Sequence, residues 1–255
     1  MENEEHKIII EAVKKEVKKD LAKHNQIAGA IVIAGLIIAG SIMLSKGSKP
    51  TTGATANISD VKIKAVSLDE HIYGNPNAKV VVIEYSDTEC PFSKRFHATM
   101  NQVIAKNPNV GWVYRHYPIA QLHPKAAHEA EATECAYEQG GNSIFWKYID
   151  EVYLKTGSNN TLDPAMLSVI AKDIGLDVTA FNTCLDSRKY TAKVETTVNE
   201  IGPLETQLSA SGILKPGEGL GTPTSFIVKK GKIVEFIHGA EQIETLMPKI
   251  EKALK

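Results

Sequence analysis

The chain is 255 residues long and carries 29 Lys and Arg against 30 Asp and Glu, a formal net charge of -1. Such a length holds one large domain or two small ones, and so even a charge gives no field to draw the chain to nucleic acid. The three cysteines, Cys90, Cys135 and Cys184, all follow the apolar run described next and divide most simply into one pair and one single thiol, which fits an oxidising compartment where disulfides persist.

Residues 1–26 mix both charge signs, with apolar positions at roughly helical spacing, and read as a solvated cytoplasmic tail. Ile27–Leu44, IAGAIVIAGLIIAGSIML, has no charged residue, and at ~1.5 Å per residue it crosses most of a ~30 Å hydrocarbon core. It is expected to be a single transmembrane helix. Lys14, Lys15, Lys18, Lys19 and Lys23 precede it, against Lys46 and Lys49 just beyond. That bias puts the N-terminus in the cytoplasm and the rest of the chain outside the cell membrane. A cleaved signal peptide is the rival reading, because Ala54-Thr55-Ala56 resembles a cleavage site, but the site lies far beyond the apolar run and the charged leader is long.

Residues 45–66 are small and polar, a tether that is expected to lift the domain at 67–255 off the membrane. After the turn-rich GNPNA at 74–78, Val80–Tyr85 is apolar at both alternating sets of positions, as in a strand buried on both faces. Pro91 suits the first position of a helix running to about Lys106, with Phe92, Phe96, Met100 and Val103 on one face. Val110–Tyr117 reads as a second strand, and strand, helix, strand predicts parallel pairing. From His123 to about Ser209 strand signals are missing, and breaks at GGNS, KTGSNN and DIGLDV separate several helices, a block inserted between the halves of a sheet. Ser225–Lys229 and Lys232–Ile237 form a hairpin around Lys230-Gly231, and Glu241–Lys255 closes as an amphipathic helix.

The chemistry concentrates at Cys90-Pro91-Phe92-Ser93. The thiolate is the reactive form of cysteine, and the free N–H groups and dipole of a helix N-terminus stabilise it. Cys90 stands at that N-cap. Glu84 ends the apolar run before it, where a carboxylate is costly unless paired or used to move protons; an acid reaching solvent from a strand end is the plain alternative. Thr222-Pro223 stands at the start of the hairpin, where a proline marks a sheet edge or a tight turn with a cis bond. His116, His123 and His128 lie near Glu129 and Glu131 but lack the i, i+4 spacing of a helical zinc motif, so they read as surface and loop histidines. Neither a metal nor a cofactor is expected.

Taken together, GNPNAKVVVIEYSDTECPFSKRF, RHYPI, GLGTPTSFIV and GAEQIETLMPKIEKAL resemble the DsbA-like (BdbD/DsbA-type) thiol-disulfide oxidoreductases of the thioredoxin superfamily, from about residue 67 to the C-terminus. The resemblance implies an α/β, thioredoxin-like fold with an inserted α-helical domain at about 121–210. It implies that Cys90 is the nucleophile, Pro91 and Phe92 the dipeptide that tunes it, and Glu84 the buried acid beneath. Thr222 and Pro223 match the loop whose cis-proline packs beside the nucleophile and whose backbone pairs with an extended substrate. A structural disulfide between Cys135 and Cys184 is implied in the same way, with two free or resolving thiols as the alternative; closing that loop contributes roughly 4 kcal/mol in the chain-entropy model.

Ser93 departs from the pattern, standing where the family has its resolving cysteine. Cys90 can then attack a disulfide but cannot release itself by internal resolution. Three releases remain: a substrate thiol (isomerisation), a small thiol (monothiol exchange), or a partner cysteine on a membrane redox protein. The Ser93 hydroxyl can still donate a hydrogen bond to the thiolate. The expectation is a membrane-tethered oxidoreductase acting on unfolded or misbridged exported proteins. Its alternatives are a non-catalytic binding or chaperone-like module and an ordinary dithiol oxidase whose second cysteine has been exchanged for serine.

Overall fold

The computed structural model describes residues 57–67 and 69–255; the tail, the apolar span and most of the tether expected above lie outside the described residues. Among the described residues no helix is long and apolar enough to cross a membrane.

Five strands make one mixed sheet in the order β1-β3-β2-β4-β5. Central β2 (Val80–Ser86) runs parallel to β3 (Val110–His116), joined to it by α1 (Pro91–Lys106), as the strand-helix-strand pattern predicts. On its other side β2 pairs antiparallel with β4 (Thr224–Lys229), which turns back into β5 (Lys232–His238). β1 (His71–Gly74) adds an antiparallel edge to β3. This strand is not anticipated by the sequence reading, because its 4 residues are too few to show alternation.

The period of two along β2 separates the layers. Val80 and Val82 face a core with Phe96, Met100, Trp112, Ile149 and Leu246, under α1 and the C-terminal helix. Ile83 and Tyr85 face the opposite core, with Phe226, Leu204, Leu208 and Val61. The end of the stretch expected as a tether packs there: a 3-10 turn at Ile58–Asp60 leads into Val61, which is buried, and Lys62 N donates to Gln207 Oε1 at 2.7 Å. Apolar residues on alternating positions of VKIKAV supply the reason.

Between β3 and β4 stand α2 (Ala126–Lys155), α3 (Ala165–Asp173), α4 (Val178–Asp186), α5 (Thr191–Val198) and α6 (Ile201–Ala210), and α7 (Ile243–Leu254) closes the chain. The break expected at GGNS is a kink inside α2, where Gly141 takes φ +65°, a value favouring glycine. The insertion has its own core of Ala132, Tyr148, Leu167, Ile170, Phe181 and Leu185. Cys135 and Cys184 are bridged within it, tying α2 to α4 with a Cα–Cα distance of 5.9 Å. With that pair closed, Cys90 is the free cysteine of the chain.

Candidate active site

Cys90 is the N-cap of α1 and Pro91 its first residue, so the missing proline N–H costs nothing there. The Cys90 side chain makes no capping bond to the helix. Its thiol donates instead to the carbonyl oxygen of Thr222 at 3.2 Å. The Thr222-Pro223 peptide is cis, as the resemblance implies, and the hairpin's entry loop lies against the Cys90 sulfur. The Thr222 hydroxyl is buried there and has no hydrogen-bond partner.

Ser93 is completely buried, one turn into α1, and its hydroxyl accepts from Asp87 N at 3.4 Å. The partner of the Cys90 sulfur is thus the Thr222 carbonyl rather than the Ser93 hydroxyl. Phe92, placed by its spacing on the apolar face of the helix, is 53 % exposed, with the Arg95 guanidinium over its ring at 5.1 Å. Pro91 and Phe92, at the start of α1, are exposed, while Ser93, Phe96, Met100 and Val103 are buried.

Glu84 is fully buried in β2, which removes the solvent-reaching alternative. Burial pushes its carboxyl up to about 7, against the pull of hydrogen bonds from Ser86 Oγ (2.6 Å) and Trp112 Nε1 (2.9 Å). Its polar contacts end on those two groups. Ser86 Oγ lies 3.2 Å from Tyr153 Oη, itself 3.0 Å from Tyr114 Oη, so the floor of the site is a buried hydrogen-bond chain.

Sequence reasoning missed a second set of buried groups in the loop leading to Cys90. The Asp87 carboxylate accepts from Glu89 N, from Ile119 N at 2.8 Å and from His123 Nδ1 at 2.9 Å. Thr88 donates to Glu129 at 2.6 Å, and Glu129 is pushed up to about 8 by burial and by the neighbouring Glu89 and Asp87. Glu89 reaches across to the insertion. The signal in the sequence was two acids in SDTEC, but their partners lie 32 to 73 residues away.

The histidines also depart from expectation. His116 and His123 are buried rather than on the surface, because each meets a carboxylate: Glu134 at 3.3 Å and Asp87 at 2.9 Å. His128 contacts Arg188 at 2.9 Å. His71 joins His116 on Glu134, with Nε2 to Oε1 at 2.8 Å, and Lys193 holds the other oxygen at 2.7 Å. Ligand atoms of His71, His116 and Glu134 lie within 4.8 Å of one another, and the Lys193 ammonium supplies positive charge beside them.

A free thiol at a helix N-cap, against a cis-proline loop at the ends of a central βαβ unit, is the geometry of a thioredoxin-type site. A family model described as "Thioredoxin" matches residues 67–207. The chain belongs to that thioredoxin family. Within it the fold is DsbA-like. Solved structures similar to this thioredoxin-family chain include Pseudomonas aeruginosa DsbA2, 25 % identical with a TM-score of 0.55, covering 74 % of this chain and 96 % of that one. Oxidised BdbD from Bacillus subtilis is 19 % identical with a TM-score of 0.56, covering 73 % and 93 %. A curated relative, the Na(+)/H(+) antiporter NhaA 3 of Salinispora tropica, is 28 % identical over 216 residues. These are 85 % of this thioredoxin-family chain but 29 % of the antiporter, so the chain spans less than a third of such relatives.

Proposed function

We propose that the chain catalyses disulfide exchange in exported proteins through the single thiol of Cys90, held outside the cell membrane by the span at 27–44. The observation that carries this reading is the contact of the Cys90 sulfur with the Thr222 carbonyl at the N-terminus of α1, with a buried hydroxyl at Ser93.

In the proposed cycle the Cys90 thiolate attacks one sulfur of a substrate disulfide. A bond forms between Cys90 and that sulfur, the old S–S bond breaks, and the other substrate sulfur leaves as a thiolate. A second thiolate then attacks the mixed disulfide and restores Cys90. When it comes from the same substrate, the bridge has been moved with no net oxidation; when it is a small thiol, that thiol is left bonded to the substrate. Attack requires the Cys90 thiol to give up its proton and leave Thr222 O, freeing that carbonyl to accept an N–H from an extended substrate strand.

The test uses the full chain in detergent with a scrambled-disulfide protein. Native bridges should reappear without glutathione if substrate thiols resolve the intermediate, and only with glutathione if exchange is monothiol. Accumulation of a mixed disulfide with no recovery under either condition would sink the catalytic reading. A binding module is the second reading, favoured by the 5 % exposure of Cys90. It predicts that Cys90→Ala retains affinity for unfolded chains, whereas catalysis requires all exchange activity to vanish in that variant.

A further inference from the structure

Glu89, the residue before the nucleophile, is fully buried and is not part of the exchange chemistry above. Its Oε2 accepts from Asn160 N at 2.7 Å and from Thr156 Oγ1 at 3.1 Å, and its Oε1 accepts from Leu162 N at 3.1 Å. Its backbone oxygen accepts from Asn159 N at 2.7 Å. All four donors belong to one loop, between α2 and α3 of the insertion.

The carbonyls of the same loop are held by cations near the nucleophile. Lys94, in α1, donates to Thr156 O at 2.6 Å, while Lys125 donates to Asn160 O and to Leu162 O at 2.8 Å each. Between these anchors Ser158, Asn159 and Asn160 have φ of 67°, 54° and 67°, three successive left-handed residues without a glycine. Such backbone persists where its surroundings over-determine it. Here the surroundings are Glu89 on the N–H groups and two lysines on the carbonyls.

We propose that Glu89 positions Cys90 for thiol exchange, by fastening the peptide that carries the nucleophile to the 156–162 loop of the inserted helices. The inference rests on Cys90 being the nucleophile of the proposed function. The peptide is held from its other side by the turn Cys90 N to Asp87 O (3.1 Å) and by Asp87 accepting from Glu89 N (2.8 Å). Asp87, Glu129, His123, Lys94 and Lys125 are the other titratable groups around this loop: Asp87 is engaged with His123, Lys94 with Thr156, Lys125 with Asn160 and Leu162, and Glu129 with Thr88 and with Glu89 itself. Glu89 accepts three hydrogen bonds from the 156–162 loop, beside the contacts of Thr88 with Glu129 and of Asp87 with His123, so the approach of Cys90 to Thr222 is braced from the helical domain.

A positioning role and a mere charge effect predict opposite signs. Removing a carboxylate beside a thiolate makes the thiolate easier to form and speeds its reactions. Losing the anchor misplaces the sulfur relative to the N-terminus of α1 and slows them. The experiment measures iodoacetamide alkylation of Cys90 against pH in the full chain in detergent, folded and in concentrated guanidinium; Cys135 and Cys184 are bridged and do not react. Glu89→Gln and Glu89→Ala should slow the folded-state reaction about tenfold and move the midpoint of its pH curve upward. Thr156→Val removes the hydroxyl that donates to Glu89 and accepts from Ser158 N, loosening the anchor without removing a charge, and should act in the same direction by about two- to threefold, which a charge effect would not produce. If the Glu89 variants fail to fold, Thr156→Val alone decides. Variants as fast as or faster than the parent chain overturn this inference and leave the proposed function standing. A parent chain no faster folded than unfolded overturns both.

Discussion

Two carboxyl groups buried to the same degree behave in opposite ways in this molecule. Glu84, on the floor of the active site, meets Ser86 and Trp112 but no cation, and burial carries its carboxyl up to about 7. Glu134, at the seam between β1, β3 and the insertion, is raised by burial too, but hydrogen bonds from His116 and His71 outweigh it and hold the carboxyl well below its usual range. Burial lowers His71 in turn, against the pull of Glu134 on its Nε2. Its Nδ1, buried without a partner, fits a bare acceptor better than a second N–H. Lys193 provides the counter-charge. Partners rather than depth decide which way a buried acid shifts: the floor carboxyl is raised and the seam carboxyl lowered.

The largest expected effect breaks the seam. Glu134→Gln leaves Lys193 and two imidazoles without their carboxylate and should cost about 3–5 kcal/mol, read from the guanidinium midpoint at neutral pH. A smaller loss than about 1 kcal/mol would show that the seam is held by packing alone. Opening the neighbouring bridge, by changing both Cys135 and Cys184 to Ser, should cost roughly 4 kcal/mol, and a reductant should destabilise the parent chain by a similar amount while leaving the double variant unmoved.

At the floor the sign reverses. The folded-state carboxyl of Glu84 lies above its unfolded value of 4.5, at about 7. The folded chain therefore binds more protons in that window and loses stability as pH rises through it, by on the order of 3 kcal/mol. Glu84→Gln should flatten this loss between pH 4.5 and about 7. The seam runs the other way: Glu134 is held low, so its contribution is present above 4.5 and disappears as pH falls through the folded value. Stability measured from acid to pH 8 should rise from the seam and then fall from the floor, and a variant at one limb should leave the other intact. Smallest is Phe92→Ala, which touches neither region and should change stability by no more than about 0.5 kcal/mol, with substrate exchange rate as the readout it can move.

Much of the frame was legible. The βαβ unit, the helical block, the hairpin and the closing helix follow from periodicity and from Pro91, because those signals are local. The four-residue β1 and the packed segment at 58–66 were not, since a short edge strand and a lone buried valine acquire meaning from the surface they cover. At the site, Cys90, Ser93, Glu84 and the Thr222-Pro223 pair stood out as residue types in unusual places. Glu89, Glu129 and His71 did not.

The sequence by itself marked Cys90 at a helix start with a serine three residues on, and the order of the βαβ unit, helical block, hairpin and closing helix, all properties of residue type and near neighbours; that Cys90 is the free sulfur was decided by the Cys135–Cys184 bridge. Tertiary structure alone decided the charge on each buried acid and what holds the nucleophile. Glu84 and Glu89, both buried and close in sequence, meet different partners, Trp112 from a strand 28 residues away and Asn160 from a loop 71 residues away, and the surroundings of a buried group are set by the partners that folding brings to it.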